Sequence, residues 1–72
     1  MKLYRYYCRM RPPMPGAIPR DGLDRVYSFD TRKSINGVDA WGFVEYTREL
    51  TEKEIVDYEL VACKGNPFIY NM

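Results

Sequence analysis

Two segments of alternating polarity, joined by Asn36-Gly37, constrain the fold of this chain more than any other feature. Residues 24–33 and 38–47 both alternate between apolar and polar side chains, as expected for strands with one buried face. An Asn-Gly pair between two such segments favours a type I′ turn, in which both central residues have a positive φ. The sequence therefore predicts a β-hairpin over residues 24–47.

The register of this hairpin follows if Asn36 and Gly37 are the two turn residues, because each pair is then set by counting away from the turn. One face receives large apolar pairs and is expected to form the core, whereas the other receives mixed pairs. The expected pairs are Phe29–Val44 and Tyr27–Tyr46 on the core face, and Arg32–Trp41, Asp30–Phe43 and Ser28–Glu45 on the other. We expect a cation–π contact within the Arg32–Trp41 pair.

Another strand is predicted over residues 2–10, which are rich in aromatic side chains and contain neither glycine nor proline. Alternation divides its side chains between two faces. The face that we expect to enter the core carries Tyr4, Tyr6, Cys8 and Met10. The opposite face, which we expect to be at least partly wet, carries Leu3, Arg5, Tyr7, Arg9 and Arg11.

A short helix is predicted after the hairpin. Thr51 suits the N-cap, Glu54 three residues later completes a capping box, and Leu50 before the cap can pack on Ile55. These side chains satisfy backbone N–H groups at the start of a helix and fix the direction in which the chain enters it.

Together these elements predict one α+β domain over residues 1–72. Four of the five prolines lie in one connection, where they remove backbone donors and favour extended, irregular structure. The expected order is strand 2–10, proline-rich connection 11–22, hairpin 24–47, helix 52–59, strand 60–64 and tail 65–72. The expected architecture is a mainly antiparallel sheet of three or four strands with one short helix packed on one face.

Several kinds of catalytic site are excluded by the composition. The chain has no histidine, the side chain most used for acid–base catalysis near neutral pH and for binding zinc. Ser28 and Ser34 lie outside a G-x-S-x-G motif, and the five glycines are too scattered for a phosphate-binding loop. We therefore expect no enzymatic activity, no cofactor and no metal site. Cys8 and Cys63 are expected to be free, buried thiols, with a disulfide or a reactive thiol as the alternatives.

Charge is divided unevenly along the chain. Residues 1–33 contain eight Lys/Arg and three Asp, whereas residues 34–72 contain three Lys/Arg and seven Asp/Glu. In the basic half, the first strand interleaves aromatic and basic side chains, as do surfaces that bind single-stranded nucleic acid. The candidate contacts are Lys2, Arg5, Tyr7, Arg9 and Arg11. The alternative is a solvated face whose cations pair with carboxylates of the acidic half.

A second candidate surface lies on the hairpin face opposite the expected core. We predict Trp41, Phe43 and Arg32 as a protein interface there, because a large aromatic surface indicates an interface unless another segment covers it. The proline-rich connection and residues 68–70 are the alternative covers. The acidic side chains from Glu45 to Glu59 are interpreted as solvated, with an acidic docking surface for a basic partner as the alternative.

Residues 38–62 contain the motifs Trp41-Gly42-Phe43-Val44-Glu45-Tyr46, Leu50-Thr51-Glu52-Lys53-Glu54-Ile55 and Tyr58-Glu59-Leu60. Together these motifs resemble short uncharacterised proteins of Gram-positive bacteria and their phages or mobile elements. The resemblance implies an intracellular accessory protein and assigns no site residue.

These observations predict a small non-enzymatic, cytoplasmic accessory protein that acts through protein–protein contacts. Its expected partner is another protein or a second copy of the chain. We expect no membrane association, because no segment is apolar enough for a membrane span or a signal peptide. One alternative is a weak single-stranded nucleic-acid-binding module that uses the first strand. Another is a phage-type inhibitor of a nucleic-acid enzyme.

Overall fold

The computed structural model describes residues 1–10 and 15–70. Its elements are β1 (Lys2–Cys8), a short 3₁₀ helix (Pro15–Ala17), β2 (Leu23–Ile35), β3 (Val38–Tyr46), α1 (Glu52–Asp57), β4 (Leu60–Ala62) and β5 (Phe68–Ile69). The strands form an antiparallel sheet in the order β2-β3-β1-β4, and β5 also pairs with β1. The predicted α+β class is confirmed.

The fourth position of the sheet is filled by two short strands. Since β3 occupies one edge of β1, both β4 and β5 lie along the other edge. Between them, Cys63 N donates to the Arg5 carbonyl oxygen (3.0 Å), and Asn66 Nδ2 donates to the same oxygen (2.8 Å). Asn66 Oδ1 accepts a hydrogen bond from Arg5 N (2.7 Å). The Asn66 amide therefore replaces backbone groups in the ladder and makes β4 and β5 one interrupted strand.

The predicted turn of the β2–β3 hairpin is present. Asn36 and Gly37 have φ values of 51° and 82°, as a type I′ turn requires. The expected register also holds next to the turn, where Ile35 pairs with Val38 and Lys33 pairs with Ala40. The local turn chemistry therefore fixes the first pairs of the hairpin.

Further from the turn, the predicted register is wrong. Ser28 pairs with Gly42 and Lys33 with Ala40, so that the four residues 29–32 of β2 lie opposite Trp41 alone. In this stretch β2 has three residues more than β3. Because successive side chains of a strand point to opposite faces, an odd number of extra residues moves each side chain beyond this stretch to the face opposite the predicted one. All five predicted pairs are therefore incorrect: Phe29–Val44, Tyr27–Tyr46, Arg32–Trp41, Asp30–Phe43 and Ser28–Glu45. The observed pairs are Tyr27–Phe43, Val26–Val44, Arg25–Glu45 and Leu23–Tyr46.

The hydrophobic core lies on the face of the sheet that α1 covers. Its buried side chains are Tyr6, Cys8, Ile18, Val44, Tyr46, Leu50 and Leu60. Tyr4, Leu23, Val26 and Ile55 pack against them, so the predicted core faces of β1 and β3 are confirmed. Met10, expected in the core, is exposed because the strand ends at Cys8.

The start of α1 agrees with the sequence prediction. Thr51 Oγ1 accepts a hydrogen bond from Glu54 N (3.2 Å), and Glu54 Oε1 accepts one from Thr51 N (2.9 Å), which completes the capping box. The helix ends at Asp57, two residues earlier than expected, because Glu59 has a φ of 54° and turns the chain into β4. Tyr58, directly after the last residue of the helix, is 44% exposed.

Within residues 1–10 and 15–70, no helix has the length and apolar composition needed to cross a membrane.

Candidate functional site

Three rings on the sheet face opposite the core form a cluster, which we call the aromatic patch: Tyr27, Phe29 and Phe43. The Tyr27 and Phe43 rings are stacked, with centroids 5.1 Å apart and an interplanar angle of 28°. The Phe29 centroid lies 5.8 Å from that of Tyr27 and 6.1 Å from that of Phe43. Tyr27 is 46% exposed, and the two phenylalanines are partly exposed. The patch therefore presents ring surface to solvent in a fixed arrangement.

Cationic side chains surround the aromatic patch. The Arg5 guanidinium carbon lies 4.5 Å from the Phe43 centroid, and that of Arg25 lies 5.8 Å from the Tyr27 centroid. Lys33 Nζ lies 5.1 Å from the Phe29 centroid. These distances fall within the range of cation–π contacts. The surface thus combines π faces with positive charge.

Glu45 neutralises one of these cations. Its side chain is 1% exposed, and its Oε2 accepts hydrogen bonds from Arg5 Nε (3.0 Å) and from the Tyr70 hydroxyl (3.5 Å). Arg5 also packs on the Phe68 ring, 4.7 Å from the centroid, so that residues of the C-terminal segment cover this end of the face. A buried carboxylate requires such a partner, and the charge of Arg5 is therefore used inside the protein.

The predicted nucleic-acid contacts are only partly accessible. Lys2 and Arg9 are exposed, Arg5 is partly buried by the contacts above, and Arg11 lies outside the described residues. Tyr7 is buried, and its hydroxyl donates to Cys63 Sγ at 3.7 Å. Leu3 is buried as well, so the expectation of a wet face is wrong for Leu3 and Tyr7. The C-terminal strands, β4 and β5, pair with β1 at these positions.

The three residues of the predicted protein interface do not lie together in the structure. Phe43 belongs to the aromatic patch, and Trp41, two residues earlier in β3, is partly exposed on the same face. Arg32 is exposed and lines a shallow groove with Arg9, Met10 and Asp39. The predicted cation–π contact between Arg32 and Trp41 is not among the cation–π contacts of the described residues.

Arg5 of the predicted nucleic-acid contacts packs on Phe43 of the predicted protein interface, so the two predicted sites are continuous. The structure also adds residues to this surface that the sequence analysis missed. The sequence analysis gives Arg25 no role and predicts Tyr27 and Phe29 in the core. The alternation Arg25-x-Tyr27-x-Phe29 was a visible signal. The face on which it lies depends on the irregular pairing of residues 29–32, which hydrophobic alternation does not reveal.

On the opposite side of the molecule, the exposed charged side chains on and after α1 are mainly acidic, and Lys53 pairs with Asp57. We call the exposed side chains Glu52, Val56, Tyr58 and Glu59 the helical surface. Val56 is 71% exposed and lies four residues after Glu52, on the same side of α1. Ile55 meanwhile packs on the core. The helical surface and the aromatic patch therefore lie on opposite faces of the sheet and differ in charge.

The two cysteines are free and lie on opposite faces of the sheet. Cys8 is buried in the core, and its burial raises the pKa of the thiol to about 11. Cys63 is partly exposed and contacts Tyr7 on the other face. This placement is incompatible with a disulfide between them. In the described part of the chain, no three His, Cys, Asp or Glu side chains are grouped as metal ligands.

Residues 1–65 match the protein-family model described as Defence against restriction A C-terminal. The chain belongs to this family. The matched region of the Defence against restriction A C-terminal family contains both the aromatic patch and the helical surface. The family is related to phages and mobile elements, as the resemblance of residues 38–62 indicated, whereas a Gram-positive origin stays a prediction. Neither the curated proteins nor the solved structures contain a match to the chain.

Proposed function

We propose that this chain is a non-enzymatic accessory module that helps DNA to escape restriction by binding a protein through its helical surface. Membership of the family described as Defence against restriction A C-terminal supports a role in protecting DNA from restriction. The helical surface supports the mode of action, because it exposes apolar side chains that the fold leaves uncovered. Since restriction acts on DNA inside the cell, an intracellular site of action is part of the proposal.

The exposure of Val56 is the observation that carries this proposal. At 71% exposure its side chain contributes little to the core, and Tyr58, directly after the end of α1, is 44% exposed. Apolar and aromatic side chains in such positions are typical anchors of protein interfaces. Glu52, on the same side of α1 as Val56, and Glu59, beyond the end of the helix, are exposed as well. The helical surface thus combines exposed apolar and acidic side chains.

The negative charge of Glu52 and Glu59 indicates the kind of partner. Enzymes that act on DNA present basic surfaces, because they must neutralise phosphates. A complementary acidic surface attracts such an enzyme and directs the encounter, while apolar contacts supply affinity. We therefore propose the DNA-binding surface of a restriction enzyme as the partner. This mode of action unites the protein-contact hypothesis with that of a phage-type inhibitor.

The proposal is tested by plating unmodified phage on a restricting bacterial strain that expresses the chain, with an isogenic strain that lacks restriction as reference. Expression should raise plating on the restricting strain only. The variant Val56→Ser/Glu59→Lys should lose this effect. The matched control Ile69→Ser/Asp39→Lys, which alters one exposed apolar and one exposed acidic residue elsewhere, should keep it. Full protection by the Val56→Ser/Glu59→Lys variant would contradict the proposed surface.

Direct binding is measured by titrating the chain into the purified restriction enzyme of that strain. We expect DNA to compete, because both ligands use the same basic surface. Binding that is indifferent to excess DNA would exclude this mode of inhibition. A second copy of the chain as partner stays a prediction, which the solution mass from light scattering tests.

A further inference from the structure

We propose that the aromatic patch, together with Arg25 and Lys33, is a binding site for single-stranded nucleic acid. This site lies on the sheet face opposite the helical surface. It is therefore independent of the protein contact proposed above, and the two can be tested with separate variants.

Tyr27 has the accessibility that base stacking requires. It is the most exposed of the three rings, and Phe43 holds it in place through their stacked contact. Phe43 is itself held from the other side by Arg5, 4.5 Å from the ring centroid. Stacking on aromatic side chains is tolerant of sequence, because every base has a π face. In a duplex these faces are already stacked, so the patch favours a single strand.

Two of the cations beside the rings have no carboxylate partner among the described residues. Arg25 and Lys33 are exposed, and neither takes part in an ion pair within the described residues. The carboxylate that pairs opposite Arg25 in the sheet is Glu45, which is buried and bonded to Arg5. Two free cations at the border of flat rings match a ligand that alternates bases with phosphates. An acidic protein segment would satisfy the cations but would leave the ring faces without a specific partner.

The size of the patch limits the ligand to a short stretch. Because Tyr27 and Arg5 occupy the two sides of Phe43, the rings of Tyr27 and Phe29 suffice for about one or two bases. Trp41 lies on the same face and is the single tryptophan of the chain, so its fluorescence reports local binding. We expect stacking beside Trp41 to quench this emission.

The experiment measures fluorescence anisotropy of a labelled 12-nucleotide single-stranded DNA of mixed sequence, titrated with the full chain at several salt concentrations. Tyr27→Leu should lower the affinity about tenfold, because it removes the ring on which a base stacks. Tyr27→Phe, which keeps the ring, should retain the affinity. Tyr58→Leu is the matched control, since Tyr58 has nearly the same exposure on the opposite side of the molecule.

A second pair of variants tests the cations. Arg25→Ala should reduce the magnitude of the slope of log affinity against log salt by about 0.7, the contribution of one phosphate contact on a single strand. Lys53→Ala, which removes an exposed cation from α1, should leave the slope unchanged.

Three results would overturn the site. The first is an absence of binding at low salt. The second is equal affinity of Tyr27→Leu and wild type, with heparin binding as well as DNA, which would indicate attraction of polyanions only. The third is loss of binding in Tyr58→Leu, which would move the contact to the helical surface. Thermal unfolding of each variant confirms that the fold is intact. The first two results leave the plating experiment unaffected, because they concern only the aromatic patch.

Discussion

At the scale of single residues, two adjacent positions decide the hairpin. Asn36 and Gly37 both have positive φ, a region in which residues with a Cβ are strained and glycine is not. A Cβ at Gly37 would meet nothing within 4 Å, so a substitution there is opposed by backbone conformation alone.

Gly37→Ala should therefore lower the free energy of unfolding by about 1 kcal/mol, measured by urea denaturation. Gly16→Ala is the matched control, because a Cβ there also meets nothing within 4 Å while the φ of Gly16 is not positive. Equal stability of Gly37→Ala and wild type would mean that the turn relaxes to another type at no cost.

At the scale of elements, α1 depends on Glu54. The hydrogen bonds that Glu54 accepts from Arg48 and from the Thr51 backbone lower the pKa of its carboxyl group to about 2. The pKa in the folded state is thus below that in the unfolded chain. The carboxylate therefore stabilises the fold above the unfolded pKa, and this contribution is lost as the pH falls towards 2.

Glu54→Gln should remove part of this pH dependence. We expect its melting temperature to be lower than that of the wild type at pH 7, with the difference shrinking as the pH falls from 5 to 2. Glu52→Gln is the matched control, because it removes a carboxylate from the same turn and leaves the Arg48 and Thr51 contacts intact. A constant difference between Glu54→Gln and wild type over this range would show that charge has no part in the effect.

At the scale of the whole molecule, two tyrosine hydroxyls join the connecting segments to the sheet. The Tyr46 hydroxyl donates to the carbonyl oxygen of Pro19 (2.7 Å), and the Tyr6 hydroxyl accepts from Leu50 N (2.9 Å). Both bonds are buried. They hold the chain before β2 and the chain before α1 against the same core.

Tyr46→Phe should lower the free energy of unfolding by about 1–3 kcal/mol, because it leaves the buried Pro19 oxygen without a partner. Chemical denaturation measures the change. Tyr58→Phe removes a hydroxyl from an exposed ring and should have no effect. If the two variants were equally stable, water would have to replace the lost donor at Pro19.

The candidate sites show how far sequence reasoning reached at this scale. Phe43 and Trp41 were placed correctly opposite the core, since β3 follows regular alternation along its length. Arg5 lies on the same face and pairs with a carboxylate of the acidic half, which was the alternative given for the basic strand. That carboxylate, Glu45, is buried, so the expectation that it is solvated is wrong. The pairing of β1 with β3 brings these two residues together, although they are far apart in sequence. No local pattern in either strand specifies this neighbour.

The sequence by itself determined the features that depend on a few adjacent residues: the Asn36-Gly37 turn, the capping box of Thr51 and Glu54, and the core faces of β1 and β3. Backbone conformation and short-range hydrogen bonds decide these, and both can be read from neighbouring residues. Only the tertiary structure decided which side of β2 faces the core. Residues 29–32 form an irregular segment opposite Trp41, and its length is set by how β2 fits against β3 as a whole. That one shift moves Tyr27 and Phe29 from the expected core to the exposed face.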